Sequence, residues 1–362
     1  MSNPTVTARG AELLRRLELE LPIIQAPMAG VSTPAMAAAA SNAGALGSMG
    51  IGAANVAGAE KMIREARELS RRALHINVFC HQPATANAAV ESAWIERLRT
   101  HFVRLGAEPP AALHEIYTSF RVDDGMLELL VKLRPEVVSF HFGLPSSERL
   151  QALRKVGCLL IASVTSLAEA RVVVAAGVDA VIAQGYEAGG HRGLFDPHAP
   201  DDRLGTFALT RVLVQKLGGM PVIAAGGIMD GAGIAAVLRL GAVAAQLGTA
   251  FVACPESSAD EGYRKALLSD AALHTVITAA ISGRPARCLA NRFTELSESV
   301  APGEIPAYPI AYDAGKSLHA AGKARGEFGY GAQWAGQGAP LARVMATGEL
   351  VRALAGELEA AG

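Results

Sequence analysis

The chain has 362 residues, 51% of them apolar and 19% charged, which is enough to bury one large core or two ordinary ones. A formal charge of −1 offers no basic surface to nucleic acid, and no apolar run approaches the roughly 18 residues that span a bilayer. Small molecules are therefore the expected partners, and with aromatics at 5% the core must be built from Ala, Val, Leu and Ile.

Met1 to Leu14 is polar and charged, with no hydrophobic signal region, which predicts a cytoplasmic protein. A short helix over Ala11 to Arg16 leads into a buried strand, Pro22 to Ala26, then the loop Pro27-Met28-Ala29-Gly30 and an alanine-rich helix, Ala35 to Ala43. Ala45 to Met49 is a second strand, with an amphipathic helix over Gly58 to Arg72, and Leu74 to Phe79 a third. The fourth and fifth strands, Val137 to His141 and Cys158 to Ala162, are followed by helices at Ser147 to Val156 and Ser166 to Ala176. Asp179 to Ala183 is the sixth strand, Pro221 to Ala225 the seventh with a helix over Gly231 to Leu240, and Ala242 to Leu247 the eighth.

Eight apolar strands, mostly alternating with helical patterns, predict an α/β fold, a (β/α)8 TIM barrel, with a doubly wound sheet as the structural rival. The barrel takes residues 1–80, 134–254 and 336–362. Residues 81–133 and 255–335 fall outside the count and are expected to form a second, smaller, mainly helical cap on the substrate side.

Ligands of such barrels sit at the carboxyl ends of the strands. After strand six comes Gln184-Gly-Tyr-Glu-Ala-Gly189-Gly190-His191-Arg192-Gly193, a flexible polar loop with a titratable ring and a guanidinium. Arg192 is open to a phosphate or a structural role. Gly226-Gly227 and Gln246-Leu247-Gly248-Thr249, after strands seven and eight, predict a cradle for one phosphate, the first by opening the helix at Gly231. Gly47-Ser-Met-Gly50-Ile-Gly52 has its glycines in the reverse order of a dinucleotide fingerprint and reads as a loop approaching a planar ligand or as a plain turn. One phosphate with apolar and amide contacts from Pro27, Met28, Asn77 and Gln184 suits FMN better than NAD or ATP. Cys80, Cys158, Cys254 and Cys288 lie far apart, so buried reduced thiols are expected, and no His cluster has metal-ligand spacing.

PIIQAPMAGVSTP, INVF, VSFHFG, DAVIAQGYEAGGHRG, PVIAAGGI, QLGTAF and YPIAYDAGKSLHAAG together resemble the nitronate monooxygenase family, class I, from Pro22 to about Gln337. The resemblance implies non-covalently bound FMN and oxidation of alkyl nitronates by O2 to carbonyl compounds and nitrite, with propionate 3-nitronate as the physiological toxin. It implies that Asn77, Gln184, Gly189, Gly190, Gly226, Gly227 and Gln246 to Thr249 hold FMN while Pro27, Met28 and Ala29 approach the isoalloxazine. The discriminating positions are His141, His191, Tyr308, Tyr312 and Lys316. The early motifs are shared with FMN-dependent enoyl-ACP and NADH:quinone reductases, so NAD(P)H-dependent reduction is the alternative. A barrel that binds a phosphorylated metabolite without redox chemistry is a third reading.

A nitronate is a carbanion-like anion, so its site must attract negative charge. His191 could donate a hydrogen bond when charged or take a proton from a neutral nitroalkane when free. Lys316 would supply fixed positive charge. Tyr308 and Tyr312, four residues apart, would present both hydroxyls on one face of a helix. His141 could instead be a satisfied core histidine, and Lys316 a solvated one.

Overall fold

The computed structural model describes residues 8–362. Residues 1–7, which open the stretch read as lacking a signal sequence, lie outside the described residues. In chain order the strands are β1 (Ile23–Gln25), β2 (Gly47–Gly50), β3 (Leu74–Phe79), β4 (Val137–His141), β5 (Leu159–Val164), β6 (Ala180–Gln184), β7 (Gly190–His191), β8 (Val222–Ala225), β9 (Ala244–Leu247), β10 (Thr275–Thr278) and β11 (Ala286–Leu289). Eight of them pair in parallel in the order β1-β9-β8-β6-β5-β4-β3-β2, and a parallel bridge between Ile24 and Leu46 joins the two ends. Chain neighbours are sheet neighbours all the way round, so the sheet is a closed barrel rather than a doubly wound sheet, whose order would reverse. All eight expected strands are present within about two residues of their expected limits.

The strands alternate two burials. Inward side chains such as Ile24, Val137, Ile161, Ile182 and Ile223 fill the barrel, closed at one end by Leu13 of the first helix, Ala8–Arg16, and by Leu17 just after it. Outward ones such as Ile76, Val138, Leu160 and Val181 pack under the helices. The close strand–helix approach explains one glycine of the Gly47–Gly52 stretch: a Cβ on Gly47 would stand 1.8 Å from the Ala37 carbonyl oxygen. Gly52 packs likewise on the Phe79 ring, where a Cβ would approach to 2.5 Å. The ligand-approaching reading therefore fails for these two, and of the three only Gly50 faces the cavity described below.

Outside the barrel, the helix Ala88–Arg104 packs through Trp94, Leu98 and Phe102 against Leu318 of the helix Ile310–Lys323. This part of the chain was expected to be mainly helical, yet it also holds an antiparallel sheet of order β10-β11-β7. The edge strand β7 is Gly190–His191 itself, paired as Ala286 with His191 and Arg287 with Gly190. The loop read as flexible is thus a strand held by a partner almost 100 residues away in sequence. Also unexpected is the helix Thr206–Lys216 that follows β7.

Candidate active site

At the carboxyl ends of the strands lies a cavity of about 750 Å³, within the roughly 300–1,000 Å³ usual for cofactor sites. It is lined by Pro27, Met28, Ala29, Asn77, His141, Gln184, Gly189, Gly190, His191, Gly226, Gly227, Gln246, Gly248, Thr249, Tyr308, Tyr312 and Lys316. One expected position is absent from this wall. The Leu247 side chain is buried in the core beneath β9, and only its carbonyl is shared, with Ala26 N–H at 2.8 Å.

Two turns form one end of the cavity. Gly226 and Gly227 have φ of +121° and +69°, conformations that favour glycine, and a Cβ on Gly226 would stand 2.7 Å from Thr206 Oγ1. The helix Gly231–Arg239 does not contribute as expected, because carboxylates take two of its first N–H donors: its capping residue Asp230 accepts from Gly233, and Glu357 of the C-terminal helix Thr347–Ala361 accepts from Gly231. An anion here is left with the glycine turns and the start of the short helix Thr249–Val252, where no acidic side chain stands in the first turn. Beside it, Gln246 Oε1 is buried without a partner. Asn77 directs both amide hydrogens to Ser139, onto Oγ at 2.8 Å and the carbonyl at 3.3 Å, which leaves its Oδ1 as an acceptor for a ligand. Side-chain-free turns, an unpartnered amide oxygen and an apolar wall at Pro27 to Ala29 fit a planar cofactor with one phosphate tail.

The other end is built around His191. Its carbonyl accepts from Gln184 Nε2 at 2.9 Å and from His141 Nε2 at 3.2 Å, while Gln184 Oε1 accepts from Gly193 N–H at 2.7 Å. His141 therefore carries its proton on Nε2 and orients the loop, which answers the core-or-catalytic alternative with a positioning contact on the cavity wall. The His191 ring lies against Trp334, Tyr308, Phe142 and Tyr312, with centroids 5.0, 5.4, 5.6 and 6.3 Å away. Its Nε2 is 2.8 Å from Ser282 Oγ, and that hydroxyl lies 3.3 Å from the Arg284 carbonyl. With hydrogens assigned from this network, the hydroxyl donates to the carbonyl, His191 Nε2–H donates to Oγ, and Nδ1 is free as a base. Burial, helped by His141, Arg284 and His81, holds the ring well below the ordinary histidine range. This favours the neutral ring, the form that the base role needs.

Tyr308 precedes the helix Ile310–Lys323, so helical spacing does not bring the two phenols together. They meet through Tyr117, 6.4 Å from Tyr308 and 5.9 Å from Tyr312. Burial raises both phenols, Tyr312 to about 12, so they remain donors, and the Tyr308 hydroxyl has no protein partner. Lys316 is exposed to solvent yet stands on the cavity wall. Its Nζ stands 4.9 Å from the Tyr117 ring and 5.3 Å from that of Tyr312, and burial lowers its pKa. Asp260 is the one carboxylate on the wall among the described residues, and it is engaged by His319 and Lys323.

Arg192 proves structural. It is 1% exposed and grips both Asp201 oxygens at 2.8 Å and the carbonyls of Gln184 and Gly185 at 3.1 Å. Arg192→Met strands a carboxylate and frees the loop, so stability should fall by about 3–5 kcal/mol, read as a lower urea midpoint. Tyr117, Ser282, Arg284 and Trp334 were not foreseen, since each lies outside the barrel motifs and has no local signature. Gly189 is glycine for packing, because a Cβ there would meet Gly336 N at 2.5 Å.

Comparison with known proteins agrees with this geometry. The family model described as nitronate monooxygenase matches residues 11–357. A nitronate monooxygenase from Paraburkholderia phytofirmans is 62% identical over 347 residues, covering 96% of this chain and 94% of the relative. One from Pseudomonas aeruginosa is 51% identical, covering 95% and 98%. The solved structure of nitroalkane oxidase from Streptomyces ansochromogenes superposes with a TM-score of 0.86 at 40% identity, over 96% of this chain and 98% of that one. FabK from Thermotoga maritima gives 0.71 at 28% identity, over 96% of each. Because the match spans residues 11–357, barrel and outer sheet included, the chain belongs to the nitronate monooxygenase family.

Proposed function

We propose that this enzyme binds FMN and oxidises alkyl nitronates, propionate 3-nitronate among them, with O2 to carbonyl compounds and nitrite. The observation that carries the reading is the His191 end of the cavity, where a neutral imidazole, two protonated phenols and an ammonium converge with no carboxylate among them. Such a wall stabilises an anion whose negative charge is spread over carbon and two oxygens.

Bound FMN would supply the electron acceptor and the route to O2. Gly226, Gly227, Gly248 and Thr249 would hold its phosphate, Asn77 Oδ1 and Gln246 its polar edges, and Pro27 to Ala29 one face of its ring. Gln184, Gly189 and Gly190 would shape the wall behind it. Lys316 draws the anionic substrate in, and Tyr308 and Tyr312 donate to the nitronate oxygens. Where the substrate is a neutral nitroalkane, His191 Nδ1 takes the proton from the carbon that bears the nitro group. His141 holds the His191 backbone in place for either substrate. In this reading residues 1–80, 134–254 and 336–362 carry the cofactor and 81–133 with 255–335 face the substrate. No helix of the described residues is long and apolar enough to cross a membrane, and the reading places the enzyme in the cytoplasm.

The test is the purified protein itself. It should be yellow, release FMN on denaturation, and form nitrite from propionate 3-nitronate under air; released FAD, or no nitrite, would contradict the reading. Gly227→Val, which puts a branched side chain at a left-handed φ in a turn of the cavity wall, with its Cβ 3.1 Å from that of Glu187, should weaken FMN binding by about tenfold or more, measured by ultrafiltration of free FMN.

A further inference from the structure

Behind the His191 end of the cavity lies a cation without a carboxylate partner. Arg284 is 4% exposed; its guanidinium donates to the Leu194 carbonyl, and Nε has no partner. Asp196 and Glu169 act on it only through space, and Glu169 is already bound by Thr165 and Phe195. The guanidinium lies 4.3 Å from the Phe142 ring centroid. That ring in turn touches His141, Tyr308 and His191, at 4.4, 5.4 and 5.6 Å. Phe142 has φ of +71°, a costly conformation for a bulky residue, so the fold holds this ring between cation and cavity against local preference. A buried charge with no counterion is itself costly, and an anion bound nearby would offset that cost.

We propose that Arg284 is a positioning residue that sets a positive potential at the His191 end of the cavity, through Phe142 and the turn Ser282 to Arg284, as the standing counter-charge to a planar anionic reactant. The inference rests on the nitronate reading. Several elements face His191: His141 ends β4, His81 follows β3, Tyr308 and Tyr312 flank the start of the helix Ile310–Lys323, and Lys316 lies one turn further along it. The three histidines are kept neutral by burial, with Arg284 pushing each the same way, which leaves Arg284 and Lys316 as the cations. Burial brings the Arg284 guanidinium down to about 10, so it stays charged through the neutral range.

Nitrate, a planar oxyanion that cannot be oxidised, is the probe, titrated into the flavin-loaded protein and followed by visible absorbance. In Arg284→Gln its dissociation constant should rise about tenfold or more, and Arg284→Lys should restore most of the affinity. The acid limb of kcat/KM for neutral nitroethane should move up by about one pH unit in Arg284→Gln, because His191 loses a neighbouring positive charge. A structural role alone would impair Gln and Lys variants alike and leave that limb in place, which would overturn the proposal. So would nitrate affinity that is lost in Lys316→Met and unchanged in Arg284→Gln. Should Arg284→Gln fail to fold, nitrate titration of Lys316→Met decides: affinity that persists and stays level between pH 6 and 9 supports a guanidinium, and a loss of about tenfold per unit above pH 6.5 assigns the charge to an imidazolium instead. Arg284-dependent nitrate binding without turnover of propionate 3-nitronate would defeat the reaction assigned above and leave this inference standing.

Discussion

His191→Asn should lower kcat/KM for a neutral nitroalkane by about 10²–10⁴ and that for the preformed nitronate by far less. Only the neutral substrate needs a proton removed before it can give up electrons, and the His191 ring is the group placed to remove it. Its Nε2 is committed to Ser282 at 2.8 Å and its backbone is pinned by His141, Gln184 and the β11 pairing. Asn keeps a hydrogen-bonding side chain in that space but lacks a basic nitrogen. The pH dependence follows from the depressed pKa: the ring is already in its base form below pH 6.5, so activity on nitroalkane should hold as pH falls past 6.5 and fail only well below it. Equal losses on both substrates would mean that His191 positions the substrate and does not act as a base.

The second large effect is on stability in acid. His75 is 1% exposed between Ser48 Oγ at 2.8 Å and Ser139 Oγ at 2.6 Å, and burial lowers it to about 3. His81 and His141 fall to about 4 by the same cause, and His191 lies well below 6.5. Each has a folded pKa below its unfolded one, so the unfolded chain takes up protons first. The stability they contribute is complete above pH 6.5 and is lost as pH falls toward 3 to 4. Each group can cost about 1.4 kcal/mol per pH unit in that window, against a total of about 5–15 kcal/mol. Cooperative unfolding and release of flavin should therefore fall between about pH 6 and 4.5, followed by circular dichroism and flavin fluorescence. A protein still folded and yellow at pH 4 would show that these rings protonate in the native state.

The barrel is legible because its strands are short apolar runs ending in glycine turns, and each run is local. The glycine turns at Gly226 and Gly248 on the cavity wall follow from their positions after the last two strands. What the sequence conceals is set by distant pairing. Gly190 and His191 look like a mobile loop because the strand that fixes them, Ala286–Leu289, comes almost 100 residues later. Ser282 and Trp334 reach His191, and Tyr117 reaches Tyr308 and Tyr312, from outside the barrel, where neither period nor spacing marks them. Tyr308 and Tyr312 were paired through helical spacing, yet they converge because Tyr117 and His191 stand between them. Two glycines of the Gly47–Gly52 run proved to serve packing, since a missing Cβ looks the same in sequence whether it makes room for a ligand or a helix.

The most direct measurement is anaerobic mixing of the flavin-loaded protein with propionate 3-nitronate and, separately, with NADH, watching the flavin absorbance. The account predicts rapid bleaching by the nitronate and none of comparable rate by NADH. Bleaching by NADH with an unchanged spectrum in nitronate would contradict it and identify a reductase.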